Sequence, residues 1–129
     1  MEHKIMENLK YTLDHEWAKI ENETLTFGIT DFAQSSLGDI VFVELPEIGT
    51  TVEKGTSCGV IESIKSVNDI FPPTSGEILD VNQDVIDSPE NLNNDAYDSW
   101  LVKIKLSNVE QIDELLNSQE YLEHCKKNS

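Results

Sequence analysis

The chain contains no arginine. Its nine basic residues are all lysines, set against 25 acidic ones, for a formal net charge of −16 over 129 residues. Nucleic-acid phosphates and anionic membrane surfaces would repel such a chain, so neither is expected as a main partner. The same charge favours a soluble monomer. Cysteine is scarce: Cys58 and Cys125 are far apart and form no C-x-x-C pair. That supports neither a disulfide framework nor a zinc site. Cys58 falls in an apolar run and reads as a small core residue, and neither cysteine is expected to do chemistry. No apolar run approaches the length of a membrane span. The first ten residues lack a continuous apolar stretch, and without arginine an organellar transit peptide is not expected. A bacterial cytoplasmic protein fits, with a mitochondrial matrix location only for a processed chain.

Catalytic constellations are missing as well. His15-Glu16-Trp17 is not H-E-x-x-H, and no second histidine follows at ligand spacing, so no metal is expected; His3 and His124 sit near the ends. No Ser-His-Asp set and no phosphate-cradling glycine loop can be argued. Nor is there a linker of Gly, Ser or Pro. One domain over residues 1–129 is predicted, with a core at about 11–106 and a C-terminal helical segment at about 107–127.

What is present is mostly strand signal. Residues 1–10 are polar and predicted to be loosely ordered until Leu9. Trp17 to Glu21 and Thr24 to Ile29 read as a hairpin across Asn22 and Glu23. Asp31 and Gln34 have the spacing of a capping box for a short helix to Ser36. Ile40 to Leu45 is the strongest strand run, ended by Pro46 and Gly49. A Thr51-Val52 entry and a Lys54-Gly55 turn lead to the next strand. Val85 to Pro89 faintly echoes Thr51 to Gly55. Glu77 to Val81 and Trp100 to Leu106 read as further strands. Ser107 with Glu110 suggests a second capping box, followed by Val109, Ile112, Leu115 and Leu116 at helical spacing and a last short helix carrying Tyr121 and Leu122. This tail is read as packing over an open end of the sheet, not as a binding element.

The segment S-C-G-V-I-E-S-I-K-S-V-N-D-I-F, Ser57 to Phe71, stands apart. Two β-branched runs flank Ile64 and Lys65. Paired as a hairpin, they hold Lys65 at or beside the tip, on a stiff arm in water. An exposed hairpin lysine is usually a solubilising charge. The surrounding sequence argues for more.

Five collinear stretches carry a resemblance: Y-T-L-D-H-E-W (Tyr11–Trp17), G-I-T-D-F-A-Q (Gly28–Gln34), L-G-D-I-V-F-V-E-L-P-E-I-G (Leu37–Gly49), G-V-I-E-S-I-K-S-V (Gly59–Val67) and S-G-E-I (Ser75–Ile78). In order and spacing they resemble the glycine cleavage H-proteins, members of the biotinyl/lipoyl carrier class. E-S-I-K is similar to their Glu-Ser-Val-Lys and differs from the Met-Lys-Met of biotin carriers. The resemblance implies a mainly β fold, a flattened barrel or sandwich of the barrel-sandwich-hybrid type, with a short helix after the N-terminal hairpin and C-terminal helices. It implies lipoate as an amide on Lys65, with Glu62 recognised by the attaching enzyme, a lipoate ligase or lipoyl transferase. Ser63 and Ser66, flanking the turn, read as steric clearance. Lysine amines are protonated at neutral pH, so the attaching enzyme must remove that proton.

The implied role is a non-catalytic carrier. Its partners would be a pyridoxal-phosphate glycine decarboxylase, an aminomethyltransferase and dihydrolipoamide dehydrogenase, with no flavin, folate or pyridoxal bound by the carrier. From the lysine Cα to the ring is roughly eleven bonds, a reach on the order of 14 Å at ordinary bond lengths. A cationic cargo calls for a cleft with an apolar floor and a carboxylate rim; the resemblance implies Glu16, with Asp14 and Asp69 as further rim residues. A second reading keeps the lipoyl motif but makes the protein mainly a lipoate donor or relay to other enzymes. One stretch departs from the family: where Pro-Tyr-Gly-x-Gly-Trp is usual, Asp95 to Trp100 reads D-A-Y-D-S-W, which leaves the geometry of that turn open.

Overall fold

A computed structural model describes residues 4–127, in nine strands and five short helices. Two antiparallel sheets face each other as a flattened sandwich, with no closed barrel. The larger sheet has the order β1-β2-β3-β9-β8-β5 and the smaller β4-β6-β7. In the larger sheet, β1 is Lys10–Tyr11, β2 Glu16–Glu21, β3 Thr24–Ile29, β5 Thr51–Val52, β8 Gly76–Val81 and β9 Val102–Leu106. The smaller comprises β4 Ile40–Glu44, β6 Gly59–Ser63 and β7 Val67–Ile70. The β2–β3 hairpin closes across Asn22, whose φ of 57° gives the twist that tight hairpins need.

Alternation along the strands supplies the core. Leu25, Phe27, Ile78, Val102 and Ile104 of the large sheet meet Ile40, Val43, Ile61 and Ile70 of the small one. In β4 a register shift between Ile40 and Phe42 breaks the alternation, leaving both Val41 and Phe42 exposed. A second, smaller core joins Leu9, Tyr11 and Trp17 to Tyr121 and Cys125.

Helix α1, Asp31–Leu37, is capped by Thr30, whose Oγ1 accepts from the Ala33 amide; Asp31, the expected cap, instead accepts from the Gln34 side chain. The segment Val85 to Pro89 does not repeat the strand at Thr51: it belongs largely to helix α2, Gln83–Asp87, because Asn82 caps it and Val85 buries. A short helix α3, Asn91–Asn94, follows. After β9 the helical spacing yields a 3-10 helix, Val109–Glu114, capped by Asn108 and not Ser107. Helix α4, Ser118–Lys127, contributes Tyr121 and Cys125 to the second core. The expectation of loose order before Leu9 includes residues 1–3, which lie outside the described residues. From Lys4 onward the segment is fastened: the Lys4 amide donates to Asp31, Tyr97 donates to the Lys4 carbonyl, and the Met6 amide donates to Tyr11.

The departing stretch Asp95 to Trp100 holds its turn without glycines. Its Ala96 carbonyl accepts from the Trp17 indole at 3.0 Å, and Ser99 donates to the Asn91 carbonyl.

Candidate functional site

Lys65 stands, exposed, at the tip of the β6–β7 hairpin, between Ser63 and Val67. The tip is held from below. The Ser63 amide donates to the Ser66 carbonyl at 2.8 Å. The buried Ser63 hydroxyl accepts from the amides of Lys65 and Ser66, each at 3.2 Å. The Ile64 amide donates to the Asp39 carbonyl, tying the tip to the segment before β4. Ser63 is therefore a clasp, not clearance as expected; only Ser66 is exposed.

Clearance comes from Gly38. A Cβ there would stand 3.2 Å from the Lys65 Cε, and the φ of 78° with ψ of −155° belongs to a region open essentially to glycine. The lysine stem lies across a backbone with no side chain. Asn93 of α3 fixes that backbone: its amide donates to the Gly38 carbonyl at 2.8 Å and to Gln34 at 3.0 Å, and its carbonyl accepts from the Ile40 amide. Neither role was assigned from sequence, although Leu37-Gly38-Asp39 belongs to a matched motif.

A cleft of about 450 Å³ starts beside this anchor. Leu37 and Val67, each next to the tip, line one part; Ile29, Ala33 and Ile61 make apolar walls; Asp14, His15 and Glu16 complete it. The structure thus places Asp14, Glu16 and Asp69 on one cleft. Their roles differ from a shared rim. Asp14 and Asp69 are exposed, whereas Glu16 is buried at 4% exposure. Burial pushes its carboxyl up to about 8; Asp14 adds to this, while the Thr12 hydroxyl and the Phe71 amide oppose it. Thr12 Oγ1 donates to Glu16 Oε1 at 2.8 Å. At neutral pH Glu16 is therefore largely a neutral acid set into the wall. Glu62 does not line the cleft; it pairs between Phe42 of β4 and Val67 of β7, beside the tip.

Neither cysteine has a reactive setting: burial pushes Cys58 up to about 12, with nearby Glu16 adding, and Cys125 is buried in the second core. Among the described residues no group of three His, Cys, Asp or Glu could hold a metal ion, and no helix is long and apolar enough to cross a membrane.

A flattened sandwich with a lone exposed lysine on a hairpin tip, cleared by glycine and opening on a cleft, defines the biotinyl/lipoyl class of lysine-arm domains. The model of the family described as "Glycine cleavage H-protein" matches residues 9–128. A glycine cleavage system H protein of Burkholderia ambifaria is 52% identical over 115 residues, spanning 88% of this chain and 91% of that protein. A probable glycine cleavage system H protein of Pyrococcus horikoshii is 46% identical over 127 residues, spanning 97% and 95%. The crystal structure of a glycine cleavage system H protein from Mycobacterium marinum superposes with a TM-score of 0.85 at 39% identity, covering 96% of this chain and 98% of that one. The chain belongs to the glycine cleavage H-protein family.

Proposed function

We infer that this chain is the lipoyl carrier of the glycine cleavage system, a carrier subunit and not itself a catalyst. Its attachment residue is Lys65, as an amide. The observation that carries this reading is the exposed Lys65 stem lying over Gly38 at the mouth of a cleft that holds the Glu16 carboxyl. The residues present fit lipoate: the tip is open to an attaching ligase or transferase, and the missing Cβ at Gly38 leaves room for the base of the arm. When bound, lipoate supplies a disulfide ring that accepts a one-carbon unit with two electrons and is restored by oxidation.

This chain's own residues present and shelter. Ser63 and Asp39 hold the tip stiff, so that the amine is offered at a fixed place. The cleft walls exclude water from a group laid along them. Glu16, neutral in the open cleft, can release its proton and stand as a carboxylate beside a cationic cargo. Asp14 and Asp69 keep the entrance negative. Glu62, beside the tip, is a contact for the attaching enzyme. The partners on this reading are the pyridoxal-phosphate glycine decarboxylase, the aminomethyltransferase and dihydrolipoamide dehydrogenase, and a cytoplasmic location accompanies it.

Intact mass before and after incubation with a lipoate ligase tests the attachment. One lipoyl increment is expected, with none in Lys65→Arg; modification persisting in that variant would move the site. Glycine-dependent turnover with purified decarboxylase separates the cleavage carrier from a lipoate relay, since a relay would take lipoate yet support no turnover. Glu16→Ala should hasten loss of the loaded cargo.

A further inference from the structure

His15 forms part of the cleft, and it is held there from several sides. It sits in the left-handed region at φ 67°, a conformation that a non-glycine residue keeps only when its surroundings impose it. Its ring lies between two others: Phe32 of α1, stacked at 4.5 Å between centroids and 22° between planes, and His124 of α4, at 5.1 Å and 28°. Its Nδ1 meets the Tyr121 hydroxyl at 2.8 Å. The same hydroxyl lies 2.6 Å from Thr30 Oγ1, the cap of α1. His124 Nε2 donates to the Leu13 carbonyl at 3.0 Å, since a carbonyl can only accept, and so grips the turn two residues before His15. Helix α4 therefore holds both the turn and the histidine that wall the cleft.

We propose that α4 is the brace of the arm cleft, with Tyr121 and His124 as positioning residues that fix His15 and its turn against the space the arm occupies. The proposal rests on the reading that the arm uses this cleft. It assigns the C-terminal helix a role beyond covering the sheet. The geometry supplies the reason: the turn has a strained backbone, Thr12 ties it only to Glu16, and the side chains that hold the His15 ring come from α1 and from α4 near the other end of the chain. Charge matters at the contact. The titratable groups facing His15 are Asp14 and Glu16 of its own turn, Asp69 across the cleft, and Tyr121 and His124 of α4; Phe32 of α1 carries no charge. Burial first, and then His124, hold the His15 imidazole below its ordinary value, with Asp14 pulling the other way. At neutral pH the stacked imidazoles are thus not forced to repel.

Two measurements test the brace. In the unlipoylated protein, NMR titration follows the His15 ring. His124→Gln keeps an amide donor for the Leu13 carbonyl and removes a positive charge, so the His15 midpoint should rise toward the ordinary imidazole value. A merely structural helix would leave it in place. In the lipoylated protein, loaded with the aminomethyl group of glycine by purified decarboxylase, hydrolysis of that group is followed as ammonia release at fixed pH. Tyr121→Phe keeps the ring stacked on Tyr11, 4.4 Å away, and deletes only the hydroxyl. It should speed loss about fivefold, the effect of losing its hydrogen bond to His15, one of the two that the hydroxyl makes. His124→Ala should act similarly, and His124→Gln should restore most of the retention. Glu16→Gln runs in parallel. If Glu16→Gln loses cargo quickly while Tyr121→Phe and His124→Ala match the parent, the brace is overturned and the cleft stands. If Glu16→Gln also matches the parent, the cleft reading falls and the brace with it. A His15 midpoint unmoved by His124→Gln overturns the contact itself.

Discussion

Ser63 and Glu16 are both buried polar side chains, 9% and 4% exposed, yet they serve two regions built on different plans. Ser63 works locally. Its oxygen gathers the amides of Lys65 and Ser66, and a short span of chain makes the tip. Glu16 works at a distance. Its surroundings combine its own turn with α1, β6 and β7, and the turn is held by α4, more than a hundred residues on. On the proposed function the tip offers an amine outward and needs stiffness, and the cleft end shelters a group and needs enclosure. On that reading one chain separates presentation from protection, and damage to one is expected to leave the other.

The largest break should come at the floor of the tip. Gly38→Val forces a branched side chain into a glycine-only conformation and against the Lys65 stem. A loss of about 1–3 kcal/mol in stability is expected, together with at least a tenfold fall in lipoylation kcat/KM. Thermal unfolding and ligase kinetics read the two effects separately. Lipoylation at the parent rate would show that the stem does not need this gap.

The cleft end should reveal itself through pH. The carboxyl of Glu16 is raised in the folded protein to about 8, above its ordinary value. The native state then holds a proton that the unfolded chain has given up, so stability from this group is full below the ordinary carboxylate range. It is lost as pH rises toward 8. Glu16→Gln should flatten that decline in denaturant midpoints measured between pH 5 and 9, while leaving lipoylation of Lys65 near the parent rate. An equally steep decline in the variant would remove Glu16 from the account.

A smaller effect is expected at Ser63→Ala, which strips two amides of their acceptor. About 1 kcal/mol of stability and a few-fold in lipoylation rate should go, with cargo retention unaffected. Smallest is Glu62→Gln: on the proposed role of this half-buried side chain as a contact for the attaching enzyme, a few-fold slower lipoylation is expected with no change in unfolding temperature.

The same contrast explains what could be read from sequence. The hairpin at the tip was legible because its determinants are adjacent: β-branched runs flank Ile64-Lys65 and pair across it, and E-S-I-K carries the family resemblance. The family motifs point to Asp14, Glu16 and Asp69, which the fold places on one cleft, but they do not disclose the burial of Glu16, which depends on how α1 and β7 close over it. The cap of α1 falls one residue earlier because Thr30 and Asp31 are both good caps, and Asp31 is taken up by the Lys4 amide from outside the helix and by the Gln34 side chain within it. The tail misled most. Val109 to Leu116 has helical spacing yet tightens into a 3-10 turn, and nothing local in α4 announces that Tyr121 and His124 meet a turn near the other end of the chain.

Asn93 carries a consequence for the protein's lifetime. Its side chain uses its amide hydrogens and its oxygen at once, joining Gln34 in the middle of α1, the Gly38 carbonyl and the first residue of β4. An aspartate there would have the same outline but no hydrogens to give. Spontaneous hydrolysis of that one amide would therefore age the molecule silently, loosening the ground under its working amine while the shape stayed the same.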